Sequence, residues 1–480
     1  MQEQKYKTIN LATASEITNF TEIERSSEMR PLFHITPPHG LLNDPNGFCF
    51  FNNQYHLFYQ WFPFDTYHGM KHWMHLTSND LLNWKRHGSK ITPKENYESH
   101  GAYSGSAFVE NNNAYLFYTG NIKKGSSRDA NQCLALLDNT NAVTKYSPNP
   151  VIKSVPKGYT GHVRDPKIVK HNEHYYMLLG AQREADLSGA IIIYQSDDLL
   201  SWEFKGELDL QFSGEFLTGY MFECPDLLNV DGHDVLIFSP QGSKANGSRF
   251  HNRFNVIYCL GSINFEKLTF EVEHWDELDR GFDFYAPQTM ANTPDEQTLI
   301  AWAGTDEELP SRQFGWVNCL TLPRTLSILN RRLYQQPKIL QSDSFNKRPL
   351  EINKTNIPIK LEKLSFSLDV NEFNGNIKIS IETKNKKLLL SIKDRDIHLD
   401  RSQYNHHPED WEFGSVRHHR TNYDITDIKF ICDQSIIEIY LNNGRDVFTC
   451  LFFPESKEHR LNILQKEDTD MDIKINYLTI

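Results

Sequence analysis

The chain has 480 residues, with 62 Asp or Glu against 50 Lys or Arg and a formal net charge of -12. That balance opposes nucleic acid or an anionic membrane surface as a partner and favours a small polar ligand. No apolar run is long enough to cross a bilayer, the opening MQEQKYKTINLATASEITNF lacks the apolar core of an export signal, and the seven scattered cysteines form no C-x-x-C pair. A soluble protein of the reducing cytoplasm is expected, without a disulfide framework or a cysteine zinc site.

In chain order, residues 1–30 are a polar N-terminal extension expected to be helical or loose. From residue 31 a polar turn followed by an apolar strand returns five times: NNQYHLFYQ ending at Gln60, NNNAYLFYTG at Gly120, HNEHYYMLLG at Gly180, DGHDVLIFSP at Pro240 and DEQTLIAWAG at Gly304. The ends step by 60, 60, 60 and 64 residues. A second strand-like piece precedes each one, opening at Asp44, Ser104, Arg164, Glu223 and Ala286. TSNDLLNW (77–84) and QSDDLLSW (195–202) are a further echo, two units apart. Five units of this length, each with room for about four short strands, describe a five-bladed β-propeller over 31–340. A large β-sandwich is the alternative, but its turn signals come every eight to twelve residues, with no reason for a sixty-residue return.

The polar stretch 341–355 reads as a linker. Beyond it, alternating strands such as KLLLSI, DIKFI and SIIEIYL, with Ile437, Ile439 and Leu441 on one face and a tight turn at NNG (442–444), predict a C-terminal β-sandwich over 356–480. The whole chain is therefore expected to be all-β. The second domain carries no acid constellation and is expected either to cover the propeller or to form a homodimer contact.

A propeller gathers the first strand of every unit around a central axis, so residues that open successive units converge on one funnel. Three of the five openings carry an acid: Asp44 in LLNDPNG, Asp165 in HVRDPK and Glu223 in FECPD. Each has a proline one or two residues on. Alone, each is an ordinary turn sequence; sharing one phase of the repeat is not. Several carboxylates around a wet funnel suit glycoside cleavage, where one acid attacks the anomeric carbon and another protonates the leaving oxygen. A metal is the competing use, but clustered oxygen ligands such as D-x-D-x-D are absent from the stretches that carry these acids, no H-E-x-x-H pair of histidines occurs, and no metal or cofactor is expected. Trp61, Trp73, Trp302 and Trp316 lie near strand ends, where an indole stacks on a sugar face or packs in a core.

At these residues the sequence resembles the invertase family of glycoside hydrolases, the β-fructofuranosidases, with the bacterial intracellular enzymes that cleave phosphorylated sucrose nearest. The resemblance runs from Pro31 onward through HITPPHGLLNDPNG, YHLFYQW, SNDLLNW, YSGSAF, VRDPK, ECPDLL, SPQG, ELDRGFDFYAPQT, LTLPR and LYQQP. It implies a five-bladed propeller followed by a sandwich. It also implies Asp44 as nucleophile, Glu223 as acid and base, and Asp165 as the group that binds fructose hydroxyls and stabilises the transition state. By the same resemblance Leu42, Asn43, Gln60, Tyr103, Ser104, Arg164 and Tyr285 line the fructose pocket, with Trp73 and Trp302 in its wall. The implied substrates are sucrose 6-phosphate, sucrose or short fructo-oligosaccharides. Leu41 and Met74 stand where the family commonly has Trp and Gly, and both are expected to alter the pocket rim. A phosphorylated substrate needs local cations, and the loops offer Lys71, Lys123, Lys124, Arg128, Arg183, Arg253 and Arg312.

Overall fold

The structure, a computed structural model, describes residues 5–26, 29–125, 127–214, 218–304, 308–338, 345–350, 356–373, 375–404, 412–456, 458–465 and 471–480. Strands dominate, as the dense β-branched and aromatic runs predict. Between residues 40 and 337 they form five sheets of four or five strands, each built on a four-stranded antiparallel meander whose first strand is the innermost. Those first strands are Gly40–Phe51, Ala102–Glu110, Tyr159–His171, Met221–Val230 and Tyr285–Thr289. Each packs against the next, and the fifth returns to the first, closing a propeller ring. The short strand Trp316–Val317, which lies between the second and third strands of the fifth sheet, adds in parallel to Gly40–Leu41 and ties the ends of the ring together. Phe50 N–H donates to the Ala291 carbonyl at 3.0 Å and Ala291 N–H to the Phe48 carbonyl at 2.9 Å, reinforcing the closure.

The repeated sequence pieces are thus the first and second strands of each sheet. The two-unit echo is a shared turn after a third strand. Asp80 accepts from the N–H groups of Leu82 and Asn83, Asp198 from those of Leu200 and Ser201, and Leu81 and Leu199 both sit at positive φ.

Two six-stranded antiparallel sheets follow and enclose a core of Ile, Leu and Phe that includes Ile437, Ile439 and Leu441. The stretch 341–355 departs from a plain linker. Within its described part, Asn346–Leu350 pairs with Asp472–Thr479 as an edge strand of this sandwich. Its four exposed residues hide the strand from a hydrophobicity reading, and an edge position tolerates its proline. Phe345 before it is buried against Phe33, and residues 341–344 and 351–355 lie outside the described residues.

The sandwich covers the propeller. Ile431, Tyr440, Val447 and Leu478 share a core with propeller residues such as Phe284 and Leu322. Glu438, fully buried, accepts from Arg324 Nη2 at 2.6 Å, Leu322 N–H at 2.6 Å and Tyr440 O–H at 2.6 Å. His34 bridges Asp433 (2.9 Å) and Glu438 (3.1 Å), and Asp433 also accepts from the N–H groups of Leu32, Phe33 and His34.

In the N-terminal extension, Thr13 and Glu16 form a reciprocal cap, with Thr13 N–H on Glu16 Oε2 at 2.6 Å, and the helix Ala14–Ser26 follows. Phe20 of this helix stacks on His39 of the propeller at 3.9 Å between ring centroids. No helix among the described residues is long and apolar enough to cross a membrane.

Candidate active site

All five innermost strands bulge by one residue at an equivalent point. The pairing slips between Leu42 and Pro45, Ala102 and Gly105, Arg164 and Lys167, Glu223 and Asp226, and Tyr285 and Gln288. Such a bulge breaks the alternation of faces and re-aims side chains toward the axis. Asp165, Cys224 and Ala286 take positive φ there, and each is followed by proline, which has no N–H to leave unpaired. In the second sheet the slip spans Tyr103 and Ser104, and at Gly105, the next paired residue, an added Cβ would fall 1.9 Å from the Phe117 carbonyl oxygen. The D-P, S-G, D-P, C-P and A-P dipeptides of the repeat are the sequence trace of these bulges.

Asp44, Asp165 and Glu223, from three different sheets, line one cavity of about 400 Å³. Asp44 accepts from Ser104 Oγ and, at 3.0 Å, from Asn43 Nδ2. Gln60 links the same group, donating to Ser104 Oγ at 2.7 Å and accepting from Asn43. Lys71 Nζ donates to Asn43 Oδ1 at 2.7 Å and lies 2.6 Å from His68 Nδ1. Asp165 Oδ2 accepts from Cys224 N–H at 3.0 Å and lies 3.9 Å from Arg164 Nε. Glu223 Oε1 accepts from Arg164 at 2.8 and 2.5 Å, and Oε2 from Tyr285 O–H at 2.5 Å. A charge-assisted clamp on one oxygen and a neutral donor on the other fix the plane of this carboxyl.

The electrostatics follow from burying three acids together. Burial pushes Asp165 up to about 7, opposed by Arg164 and reinforced by Glu223 and Asp44. Burial also raises Asp44, while hydrogen bonds from Ser104 and Asn43 favour its charged form. Burial and then Glu223 hold the Tyr285 hydroxyl protonated, so it remains a donor. Cys224, also raised by burial and the surrounding acids, is a neutral thiol.

Of the residues expected at the pocket, Asn43, Gln60, Tyr103, Ser104, Arg164, Tyr285 and Trp302 line the cavity with the three acids. Leu42 and Trp73 do not. Both are fully buried, Leu42 in the central core and Trp73 in a neighbouring one, where its indole N–H donates to the Tyr103 carbonyl at 3.1 Å. Burial of the strand's other face wins at these two positions, so they support the pocket from behind. Trp61 and Trp316 are likewise core residues. Leu41 and Met74 pack in cores and do not shape the rim.

Among the expected cations, Lys71, Lys123 and Arg128 line the cavity. Lys124 pairs with Asp129, Arg183 with Glu207 and Arg312 with Glu308, while Arg253 lies over Phe254. The lining also includes Lys5, Tyr6, His68, His100, His162 and Tyr220, none of which stood out in the sequence. His162, two residues before Arg164, carried the clearest signal, since it shares the same innermost strand.

Comparison with known proteins agrees with this geometry. Residues 34–337 match the model of the glycosyl hydrolases family 32 N-terminal domain, and residues 333–479 match the family 32 C-terminal domain. The chain is 36% identical over 474 residues to the sucrose-6-phosphate hydrolase of Bacillus subtilis, covering 96% of each chain. It is 37% identical to that of Vibrio alginolyticus, over 94% of this chain and 92% of the relative. Among solved structures, the sucrose-6-phosphate hydrolase of Lactobacillus gasseri superposes with a TM-score of 0.88 at 32% identity, covering 100% of this chain and 99% of the other. A mutant family 32 β-fructofuranosidase of Bombyx mori in complex with sucrose gives 0.81 at 27% identity, over 96% and 97%.

Proposed function

Because the chain belongs to glycosyl hydrolase family 32, we propose that it cleaves the β-fructofuranoside bond of sucrose 6-phosphate and of sucrose, with retention of configuration. Asp44 attacks C2 of the fructosyl unit while Glu223 gives its proton to the glycosidic oxygen, releasing glucose 6-phosphate or glucose and leaving a fructosyl ester on Asp44. Glu223, now ionised, takes a proton from water. The resulting hydroxide adds to C2, returning Asp44 as the carboxylate and releasing β-fructose.

The surrounding groups divide that work. Ser104 and Asn43 orient the Asp44 oxygens. Arg164 and Tyr285 hold the Glu223 carboxyl in one plane between its two proton transfers. Asp165 binds fructose hydroxyls and faces the positive charge that develops on the ring. A cytoplasmic location is in keeping with seven cysteines that are all free thiols.

The observation that carries the proposal is the convergence of three carboxylates, each on the bulged innermost strand of its own sheet, on one cavity. Asp44→Ala and Glu223→Ala are each expected to cut fructose release by on the order of 10³-fold or more while leaving the melting temperature near that of the parent. Near-normal turnover in either variant removes the role given to that residue.

A further inference from the structure

Five cations line the cavity: Lys5, Lys71, Lys123, Arg128 and Arg164. Arg164 is bound to Glu223, and Lys71 to Asn43 deep in the site. The other three share the rim. No ion pair among the described residues engages Lys5, Lys123 or Arg128, whereas Lys124, next along the strand, is paired with Asp129. Lys123 and Arg128 are directly opposite each other across the strands Asn113–Lys124 and Ser127–Leu137. Like charges so placed repel, and an anion between them relieves the repulsion.

The rim is built to hold these groups. Gly161 makes room for the Arg128 stem, since a Cβ there would lie 2.7 Å from Arg128 Cγ. Lys5 arrives from the N-terminal extension, whose first residues are pinned to the propeller at Met70, His72 and His100. Met70 N–H donates to the Lys5 carbonyl at 2.8 Å, Ile9 N–H donates to His72 Nε2 at 3.1 Å, and Tyr6 sets its ring edge on His100 at 4.8 Å between centroids. Lys123 Nζ lies 5.7 Å from the Tyr6 ring. The same cations are felt by their neighbours. Burial, then Lys71 and Lys5 hold His68 well below its ordinary value, while burial, then Arg164 and Arg128 hold His162 at about 4.

We infer that Lys5, Lys123 and Arg128 form a phosphate subsite that receives the phosphate monoester carried by the leaving-group sugar. The fructosyl unit occupies the acid-lined floor, so the departing sugar points past Glu223 toward this rim. The N-terminal extension is then a part of the substrate-binding wall. This assignment rests on the fructofuranosidase reading of the floor and adds to it the residues that select a phosphorylated substrate.

The test is the ratio of kcat/KM for sucrose 6-phosphate to that for sucrose, at low ionic strength, in the full-length protein and in Lys5→Ala, Lys123→Ala and Arg128→Ala. The ratio is expected to fall roughly tenfold for Lys123→Ala and Arg128→Ala and about threefold for the more exposed Lys5, with Arg128→Lys recovering part of the loss. Calorimetric titration of glucose 6-phosphate, glucose and inorganic phosphate adds a readout that needs no turnover. Glucose 6-phosphate is expected to bind more tightly than the other two, and to lose that advantage in the Arg128 and Lys123 variants. Variants whose ratio and whose glucose 6-phosphate affinity stay within twofold of the parent overturn the subsite. A parent protein that releases fructose from neither sugar instead overturns the reading of the floor, and calorimetry still decides whether the rim binds phosphate.

Discussion

At the scale of single residues, the chemistry turns on how three closely placed carboxyls, Asp165 buried and Asp44 and Glu223 half-buried, share charge. Asp165 is held at about 7 mainly by burial, against an ordinary value of 3.8, and Asp44 is raised in the same cavity. In the proposed reaction both act as carboxylates, so the acidic limb of the kcat/KM profile is predicted to lie above the usual carboxylate range. Asp165→Asn removes a like charge beside Asp44, so what activity remains is predicted to show that limb at lower pH; an unmoved limb would contradict the coupling. The same shift has a stability sign. A raised acid favours folding fully below its ordinary value of 3.8, and that contribution is lost as pH rises through about 7. Asp165→Asn is therefore predicted to raise the melting temperature relative to the parent more at pH 8 than at pH 5. The acids were legible in the sequence because they share one phase of the repeat. Leu42 and Trp73 were expected at the pocket from the resemblance, which does not tell which face of a strand a side chain takes, and both turn into a core.

At the scale of elements, the five bulges are what turn a propeller ring into a site. Their dipeptides were visible in the sequence, but each also reads as an ordinary turn, and only pairing with the neighbouring strand identifies the extra residue. Gly105 offers a direct check. An alanine there meets the Phe117 carbonyl, so Gly105→Ala is predicted to cost roughly 1–3 kcal/mol and to displace Ser104 from Asp44. The expected result is a lower denaturation midpoint together with a fall in kcat larger than the change in KM; unchanged kcat would show that the bulge does not position Ser104. The edge strand Asn346–Leu350 shows the opposite limit. Its polar, proline-containing sequence has no period to read, because an exposed edge demands none.

At the scale of the whole molecule, the propeller was legible because few architectures return to the same strand pattern every sixty residues. Its union with the sandwich was not. That union is written in single charged residues, His34, Arg324, Asp433 and Glu438, scattered along the chain and paired only by the fold. Glu438→Ala leaves Arg324 buried with fewer partners and is predicted to cost about 3–5 kcal/mol. Burial opposes the charge on Glu438, but Arg324 and His34 win and lower it to about 2 from 4.5. Its contribution is present above 4.5 and lost as pH falls toward 2. Burial likewise opposes protonation of His34, yet its two carboxylates raise it above 6.5, so its contribution is full below 6.5 and lost as pH climbs through the raised value. His34→Gln is predicted to flatten the alkaline fall in melting temperature; an identical pH profile would remove His34 from the union.

The double displacement on Asp44 is tested most directly by the anomeric configuration of the first product. Sucrose cleaved in the presence of methanol is predicted to give methyl β-fructofuranoside by NMR, with none formed by Asp44→Ala. First-formed α product, as the methyl glycoside or as free fructose, would contradict a covalent intermediate and the role of Asp44 with it.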